Sequence, residues 1–264
     1  MPTFIQSTAD DPRLEPYHDL RSNRRWASPD GFIIETELVL GRLIDSDFQI
    51  TELVLSPTKA ERLKDAIPPD TTVYVLERTE IERLIGFDLH RGVLARGSRP
   101  KGLFPAPLRG TPTRGNWLFG ENITDPGNVG TLIRIAATLG FCGAYFDPSS
   151  SNPYSRRAIR ASAGHIFRIP VDTVPTSELL EYFHNGTIYA AALRDDAQTS
   201  FHLEPDDGPT LLAVGNEGFG LSHEVLTASK IHVRIPMVQA DDSLNVATAA
   251  AILCHQLSHL RAQP

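Results

Sequence analysis

The feature that most constrains this fold is an alternation of apolar stretches and helical patterns from Trp117 to the end of the chain. Six stretches rich in β-branched or aromatic residues predict strands, namely WLFG, GAYF, HIFRIPV, TIYAAAL, TLLAVG and HVRIPM. Helical patterns lie between most of them and after the last, beginning near Pro126, Pro153, Thr176, Ser222 and Leu244. The alternation predicts an α/β fold, with a mostly parallel sheet covered by helices on both faces.

A shorter alternation precedes this one and predicts a small N-terminal α/β domain. Its strand-like stretches are ITELVLS, TTVYVLE and GVLA, and its helical patterns cover Thr36–Ile44, Lys59–Ile67 and Thr79–Ile85. We therefore expect four segments: an extension over 1–30, the small domain over 31–98, a linker over 99–115 and the larger domain over 116–264.

The linker region is basic. Between Leu89 and Asn116 there is no acidic residue, and prolines and glycines are interspersed with Arg91, Arg96, Arg99, Lys101, Arg109 and Arg114. One interpretation is a solvated linker, and the other is a strap that lies along a phosphate backbone. The two interpretations are compatible.

Composition restricts the classes of function. No apolar run is long enough to cross a bilayer, and the first residues are acidic and proline-bearing, unlike a signal peptide. Cys142 and Cys254 alone imply no disulfide framework. We therefore expect a cytoplasmic protein without a membrane partner. The net charge of −7 argues against coating nucleic acid indiscriminately, so contacts with nucleic acid should come from local patches.

Ligands of such sheets bind beyond the carboxyl ends of the strands, so the loops there are the candidate sites. The first loop leads into a helix that Asp125 is expected to cap, with Pro126 at its first position. One face of this helix should pack on the sheet, and it comprises Val129, Leu132, Ile133, Ala136 and Gly140. The opposite face carries Thr131, Arg134 and Thr138. Arg134 is either a solvated surface residue or a group that acts near an anion-favouring helix N-terminus beside Asn122 and Asn128.

The second loop is glycine-rich, with the sequence GNEGFG over 215–220. Its glycines allow a sharp turn with exposed amides, although the spacing does not fit a dinucleotide-binding turn. Ser222 is expected to cap the following helix. Glu217 is either a turn residue or a functional carboxylate, since neither helix nor strand requires it there.

The third loop follows a strand that ends at Ile235-Pro236. Ser243 is expected to start the last helix, and Asn245, in its first turn, suits a polar contact at the helix mouth. The helix should be deeply packed or lie in an interface, because it carries the small residues Ala247, Ala249, Ala250 and Ala251. His255 and His259 have the spacing of a ligand pair, but no third ligand accompanies them, so no metal is predicted.

Three stretches together resemble a known family. NITDPGNVGTLIRIA, LLAVGNEGFGLSHEV and VRIPMVQADDSLNVATAAAIL resemble, in order and spacing, the three signature motifs of the SpoU (TrmH-like) RNA 2′-O-ribose methyltransferases of the SPOUT superfamily. The resemblance covers roughly Trp117 to the end. Residues 32–95 are similar to the L30e-like substrate-binding domain of many members. Thr36 stands where a glycine is common there, which leaves the identity of the RNA open.

The resemblance implies a fold, a cofactor and partners. It implies a trefoil knot, S-adenosylmethionine as cofactor, and a homodimer whose subunits complete each other's active site. It further implies a structured RNA substrate, ribosomal RNA before transfer RNA. The implied catalytic residues are Asn128, Arg134, Glu217, Ser243 and Asn245, and the implied cofactor-binding residues are Gly215, Asn216, Gly218, Ile235, Met237 and Leu244. We assign Arg134 to the developing oxyanion and a phosphate rather than to proton removal, because a guanidinium does not deprotonate in proteins.

Basic residues after the second strand of the larger domain are candidate RNA contacts. They comprise Arg156, Arg157 and Arg160, followed by His165 and Arg168, with Arg21, Arg24 and Arg25 as further candidates. The alternative is a solvated helix face. The sequence also allows a non-catalytic RNA-binding or ribosome-assembly module of the same fold, although the intact polar set favours an enzyme. Housekeeping and antibiotic-resistance methylation of ribosomal RNA are not separated by sequence.

Overall fold

The computed structural model describes residues 1–20, 31–88, 92–99, 112, 114–194, 196–203, 207–238 and 243–262. The chain divides into two units, one of residues 1–101 with 154–160 and one of residues 102–153 with 161–264. This division assigns 154–160 to the N-terminal unit, whereas we expected the larger domain to contain them. Most of the predicted linker over 99–115, with Lys101 and Arg109, lies outside the described residues, as do Arg21, Arg24, Arg25 and Arg91.

The N-terminal unit is built on a five-stranded sheet. Its strands are β1 (Thr3–Gln6), β2 (Gly31–Glu35), β3 (Gln49–Leu55), β4 (Thr72–Val75) and β5 (Val93–Ser98), in the order β1-β4-β3-β5-β2. Strands β1, β4 and β3 run parallel, and β5 is antiparallel to both β3 and β2. The helices are α1 (Glu37–Ile44), α2 (Pro57–Leu63) and α3 (Arg78–Ile85). The alternation at the start of the chain therefore forms the predicted small α/β unit.

Part of the predicted N-terminal extension belongs to this sheet and its core. Residues Thr3–Gln6 form edge strand β1, and Pro12–Tyr17 form a 3-10 helix. The side chains of Leu14 and Tyr17 are fully buried in the same apolar cluster as Ile33, Val54 and Leu94. A four-residue strand and a six-residue 3-10 helix are too short to show a periodicity, which is why sequence patterning missed them.

The C-terminal unit is built on a seven-stranded sheet in which every pair of neighbours is parallel. Its strands are β6 (Gly115–Gly120), β7 (Gly143–Phe146), β8 (Val171–Thr173), β9 (Thr187–Ala191), β10 (Gln198–Thr199), β11 (Pro209–Val214) and β12 (Ile231–Arg234). Their order is β10-β12-β9-β11-β6-β7-β8, so β6 and β11 are neighbours near the middle. The predicted α/β class with a largely parallel sheet is confirmed.

The remaining helices follow the predicted positions closely. They are α4 (Pro126–Thr138), α5 (Arg156–Ala161), α6 (Thr176–Tyr182), α7 (His223–Ala228) and α8 (Val246–Ala262). One strand prediction, HIFRIPV over 165–171, is wrong for every residue but the last, because His165–Phe167 form a 3-10 helix and the strand is limited to Val171–Thr173. All three residues of that helix are buried, and a short apolar run fully buried in a helix has the same composition as a buried strand.

Helix α4 begins as predicted but ends at Thr138, before Gly140, which we expected on its packing face. Asp125 caps it by accepting a hydrogen bond from the Gly127 amide at 3.2 Å. The predicted packing face is buried except for Gly140, which is exposed and has a φ of +76°. Gly140 lies after the C-cap residue Leu139, where glycine commonly ends a helix in the left-handed conformation. Its place in the apolar pattern therefore reflects helix termination rather than packing.

Helix α8 packs within its own unit. Its inner face is buried and comprises Val246, Ala247, Ala250, Leu253, Cys254 and Leu257. It lies against α4, and the Ser258 hydroxyl donates a 2.7 Å hydrogen bond to the Leu139 carbonyl. The outer face is exposed at Thr248, Ile252, His255 and His259. Ala250 and Ala247 therefore face this chain's own core, which agrees with the first of the two alternatives, a deeply packed helix.

Candidate active site

Three loops converge at the carboxyl edge of the parallel sheet. They follow β6, β11 and β12, and they lead into α4, α7 and α8. Because β6 and β11 are adjacent, the loops after them lie side by side. This edge is where parallel sheets bind ligands.

An amide–carboxylate trio, composed of Asn128, Glu217 and Asn245, joins the three loops. Asn128 Nδ2 donates to Glu217 Oε1 at 2.8 Å, and Asn245 Nδ2 donates to the same oxygen at 2.9 Å. Asn245 Nδ2 also lies 3.3 Å from Asn128 Oδ1. Within the described part of the chain, Glu217 Oε2 has no hydrogen-bond partner. Two amides thus hold Oε1 of the Glu217 carboxylate, and Oε2 is left able to accept a hydrogen bond.

Each amide of the trio is positioned by a helix N-terminus. Asn128 lies in the first turn of α4. Asn245 precedes α8, and its Oδ1 accepts hydrogen bonds from the amides of Ala247 at 3.0 Å and Thr248 at 3.4 Å. Asn245 therefore caps α8, which corrects its predicted place inside the first turn and agrees with the preference of Asn for the cap position. Its cap oxygen fixes the side chain while its amide nitrogen contacts Glu217.

The glycine loop over 215–220 is folded by Asn216. Asn216 Oδ1 accepts hydrogen bonds from the amides of Gly218 at 2.8 Å and Phe219 at 3.2 Å, and its carbonyl accepts one from Gly220 at 2.8 Å. A Cβ on Gly215 would lie 2.4 Å from the Gly220 backbone, and Gly220 has a φ of +70°. These two glycines are thus required for the loop to close on itself.

Two buried carboxylates that we did not predict support these loops. Glu121 and Asp147 are each 7% exposed, and both follow strands of the sheet. Asp147 Oδ1 accepts the Asn122 amide at 2.6 Å, and the Asn122 carbonyl accepts Asn216 Nδ2 at 3.0 Å. Asn122 has a φ of +55°, a conformation that Asn tolerates better than most residues. The sequence signal that could have identified Glu121 and Asp147 is an acidic residue directly after a predicted strand.

The pKa of Asp147 is shifted by its surroundings. Burial raises this pKa. Hydrogen bonds from the Ser149 and Ser150 hydroxyls and from the Asn122 and Ser149 amides lower it by more than burial raises it. The net pKa of this carboxyl lies below its usual value, so the charged form is the one that the loop stabilises.

A cavity of about 400 Å³ opens beside the glycine loop. Every predicted cofactor-binding residue lines it, and so do Glu217 and Ser243 from the predicted catalytic set. Further lining is mainly apolar and includes Leu193, Leu226, Val233 and Leu253. Its volume falls in the range of about 300–1,000 Å³ that is usual for small-molecule sites.

Arg134 is not part of this assembly within one chain. Its side chain is exposed, does not line the cavity, and makes no hydrogen bond or ion pair to any residue that the structure describes. It lies six residues beyond Asn128 on α4, which places it about 9 Å along the axis and about 120° around it. The structure therefore separates Arg134 from the trio.

The predicted RNA-binding arginines differ in their surroundings. Arg156 contacts the buried carboxylate of Glu35, donates to the Leu20 carbonyl at 2.9 Å and lies over the Phe87 ring at 5.0 Å. Its guanidinium thus neutralises a buried charge of the N-terminal unit, and the structure gives no support to its prediction as an RNA contact. Arg157 and Arg160 are exposed, and their role in RNA binding remains a prediction.

The part of the chain that the structure describes contains no group of three residues suited to hold a metal ion. His255 and His259 stack on the outer face of α8 with ring centroids 6.4 Å apart and have no third ligand beside them. Within the same residues, no helix combines the length and apolar character needed to cross a membrane.

Comparison with known proteins identifies similar chains. The profile of the SpoU rRNA Methylase family matches residues 117–255. An uncharacterised tRNA/rRNA methyltransferase of Mycobacterium tuberculosis is 34% identical over 94% of this chain and 88% of its own. The AdoMet-bound rRNA methyltransferase from Sinorhizobium meliloti superposes with a TM-score of 0.83 at 22% identity, covering 100% of this chain and 99% of that one. AviRb from Streptomyces viridochromogenes, a SpoU methyltransferase solved with AdoMet, gives 0.80 at 22% identity, covering 96% and 99%.

Proposed function

This chain belongs to the SpoU rRNA methylase family of RNA methyltransferases, and we propose that it methylates a ribose 2′-hydroxyl of structured RNA. S-adenosylmethionine is the proposed methyl donor, and ribosomal RNA is the proposed substrate. Transfer RNA is the second candidate, because the relative from Mycobacterium tuberculosis is named for both RNAs.

The cavity beside the glycine loop fits S-adenosylmethionine. Met237, Leu244 and Leu253 offer apolar surface for the adenine, and the backbone of Gly215–Gly220 and of Ile235 offers polar groups. When bound, this cofactor supplies an electrophilic methyl group on a sulfonium whose leaving group departs neutral. Two proteins of the same fold, from Sinorhizobium meliloti and Streptomyces viridochromogenes, were solved with AdoMet. No metal is required in this proposal.

The observation that carries the proposal is the convergence of Asn128 and Asn245 on one oxygen of Glu217. A ribose hydroxyl is a weak acid that must be aligned with the methyl group and lose its proton as it attacks. Glu217 Oε2 is positioned to accept a hydrogen bond from that hydroxyl, while the two amides hold the carboxylate still. Ser243, at the cavity wall, orients the ribose or a water in the path of the proton.

Arg134 supplies positive charge to the reaction in this proposal. Its guanidinium stabilises the developing oxyanion and holds the adjacent phosphate, both of which its planar donors suit. Because Arg134 is exposed and makes no described hydrogen bond to the trio of its own chain, we propose that it completes the site of a second subunit. The homodimer that the sequence resemblance implies provides that second subunit.

The N-terminal unit and α5 contribute RNA affinity in this proposal. Arg157 and Arg160 are exposed and lie one helical turn apart on α5, so both can contact one stretch of backbone. The L30e-like similarity of residues 32–95 supports an RNA-docking role for that unit. An enzyme is preferred to a non-catalytic module because the polar trio is assembled rather than dispersed.

The deciding experiment places labelled S-adenosylmethionine with purified ribosomal or transfer RNA from cells that lack the gene, in a buffer containing EDTA. We expect label on one ribosomal RNA nucleotide, and loss of label when that nucleotide carries 2′-deoxyribose. Glu217→Gln is the matched variant and should be nearly inactive. It preserves the shape of the side chain but removes the carboxylate and places an amide group opposite the two amide donors. Labelling of the deoxyribose substrate would reject ribose methylation, and labelling of transfer RNA alone would reassign the substrate.

A further inference from the structure

One residue outside the family-like polar set holds both ends of the glycine loop. The Glu121 amide donates a 2.9 Å hydrogen bond to the carbonyl of Val214, the last residue of β11. Its carboxylate Oε2 accepts a 2.7 Å hydrogen bond from the amide of Ser222, the residue that caps α7. Glu121, in the neighbouring loop, is therefore hydrogen-bonded to the residue just before the segment 215–221 and to the residue just after it.

The two bonds differ in what they require of the sequence. The bond to Val214 uses the Glu121 backbone and would form with other residues at position 121. The bond to Ser222 needs a side-chain acceptor that reaches across from β6, and a carboxylate makes it charge-assisted. Glu121 is 7% exposed, and burying a carboxylate costs free energy, so this hydrogen bond offsets part of that cost.

The glycine loop has few other restraints on its return. Three of its six residues are glycine, which lose more conformational freedom on ordering than other residues. Asn216 closes the loop from within and contacts the Asn122 carbonyl, but its bonds do not extend to Ser222. Without the Glu121 side chain, the hydrogen bond from the Gly220 amide to the Asn216 carbonyl would still close the loop, but among the described hydrogen bonds none would tie its C-terminal end to the loop after β6.

We infer that Glu121 is a positioning residue that holds the glycine loop so that Glu217 meets Asn128 and Asn245 and the cavity keeps its wall. This inference rests on the proposed function, because the loop lines the proposed cofactor cavity. Glu121 itself contacts neither the cavity nor the trio among the described residues. Its effect is exerted through the Ser222 amide.

The test compares Glu121→Ala, Glu121→Gln and, as a control for general destabilisation, Val171→Ala. Val171 is buried in β8, three positions from β11 in the sheet. The first readout is hydrogen exchange of residues 215–222 without cofactor. Glu121→Ala should increase exchange in this segment selectively, Glu121→Gln should restore most of the protection because its amide oxygen still accepts, and Val171→Ala should leave the segment protected.

The second readout separates cofactor binding from turnover. In Glu121→Ala we expect the dissociation constant of S-adenosylmethionine to rise about tenfold, in line with loss of one hydrogen bond to a charged group. The kcat should fall further, since Glu217 is displaced, and the KM for RNA should change little. Glu121→Gln should recover most of both losses.

Two results would overturn the inference. One is unchanged exchange of 215–222 in Glu121→Ala, and the other is equal losses of affinity in Glu121→Ala and Val171→Ala at matched melting temperature. Failure of the proposed function looks different, because then the unmodified protein would not bind S-adenosylmethionine while its loop exchange would still depend on Glu121.

Discussion

At Glu217, two side-chain amides meet one carboxylate oxygen, and this contact explains why a solvent-exposed loop carries a fixed charge. The amides come from the first turn of α4 and from the cap of α8, so their positions are set by helix N-termini. A site supported in this way keeps its geometry without contributions from the mobile parts of a loop. Arg134, the residue that we propose to stabilise the oxyanion, has no such hydrogen bond among the described residues of one chain.

Arg134→Ala should lower the rate of methyl transfer by about 10²-fold or more, because it removes a donor from the developing oxyanion. Cofactor affinity should barely change, since Arg134 does not line the cavity. Arg134→Lys keeps the charge but loses the planar fork, so it should recover only part of the rate. Single-turnover kinetics and calorimetry measure the two effects. Loss of cofactor binding with an intact single-turnover rate at saturating cofactor would show that Arg134 binds S-adenosylmethionine rather than RNA.

At the scale of elements, helix α8 presents two faces with different consequences for substitution. Ala250 is fully buried within its own unit, whereas Ile252 is 36% exposed on the outer face. Ala250→Leu should overpack the core and lower stability by about 1–3 kcal/mol. Ile252→Glu should leave the melting temperature of the protomer nearly unchanged. We propose the exposed outer face of α8 as the contact of the homodimer, and on that proposal only Ile252→Glu should also weaken dimerisation.

Chemical denaturation and light scattering check this pair of substitutions. A dimer unaffected by Ile252→Glu would move the proposed interface away from the outer face of α8. A stable Ala250→Leu variant would show that the core around Ala250 tolerates added volume, contrary to the full burial of that position.

The loop around Asp147 should make stability depend on pH on the acid side. The folded pKa of Asp147 is lowered, so its contribution to stability is present above its unfolded pKa. That contribution is lost as the pH falls through the folded value. Asp147→Asn should therefore be less stable than the native chain at neutral pH, and the difference should narrow on acidification. Melting temperatures across this range test it, and a constant difference would contradict the linkage.

At the scale of the whole molecule, the separation of Arg134 from the trio predicts complementation between subunits. Arg134→Ala and Glu217→Gln should each be nearly inactive alone. In mixed dimers, the Glu217 of one subunit meets the Arg134 of the other, which restores one of the two sites. Random mixing in equal amounts should recover about a quarter of native activity, because half of the dimers are mixed. No recovery after confirmed subunit exchange would place Arg134 and Glu217 in the same chain's site.

Sequence by itself determined the features that depend on neighbouring residues. The parallel α/β sheet follows from the alternation of strands and helices, and the caps at Asp125 and Ser222 follow from local backbone chemistry. The three loops follow from the rule that ligands bind at the carboxyl ends of parallel strands. Each of these inferences depends only on residues within a few positions of one another, so each can be made from the sequence alone.

Only the tertiary structure decided which distant residues meet. Asn128 and Glu217 are 89 positions apart, Glu121 and Ser222 are 101 apart, and Arg156 and Glu35 are 121 apart. Strand order brings such pairs together, and hydrophobic periodicity carries no record of strand order. For the same reason sequence reasoning did not foresee the ion pair of Arg156 with the buried Glu35, because it depends on a partner that no local pattern reveals.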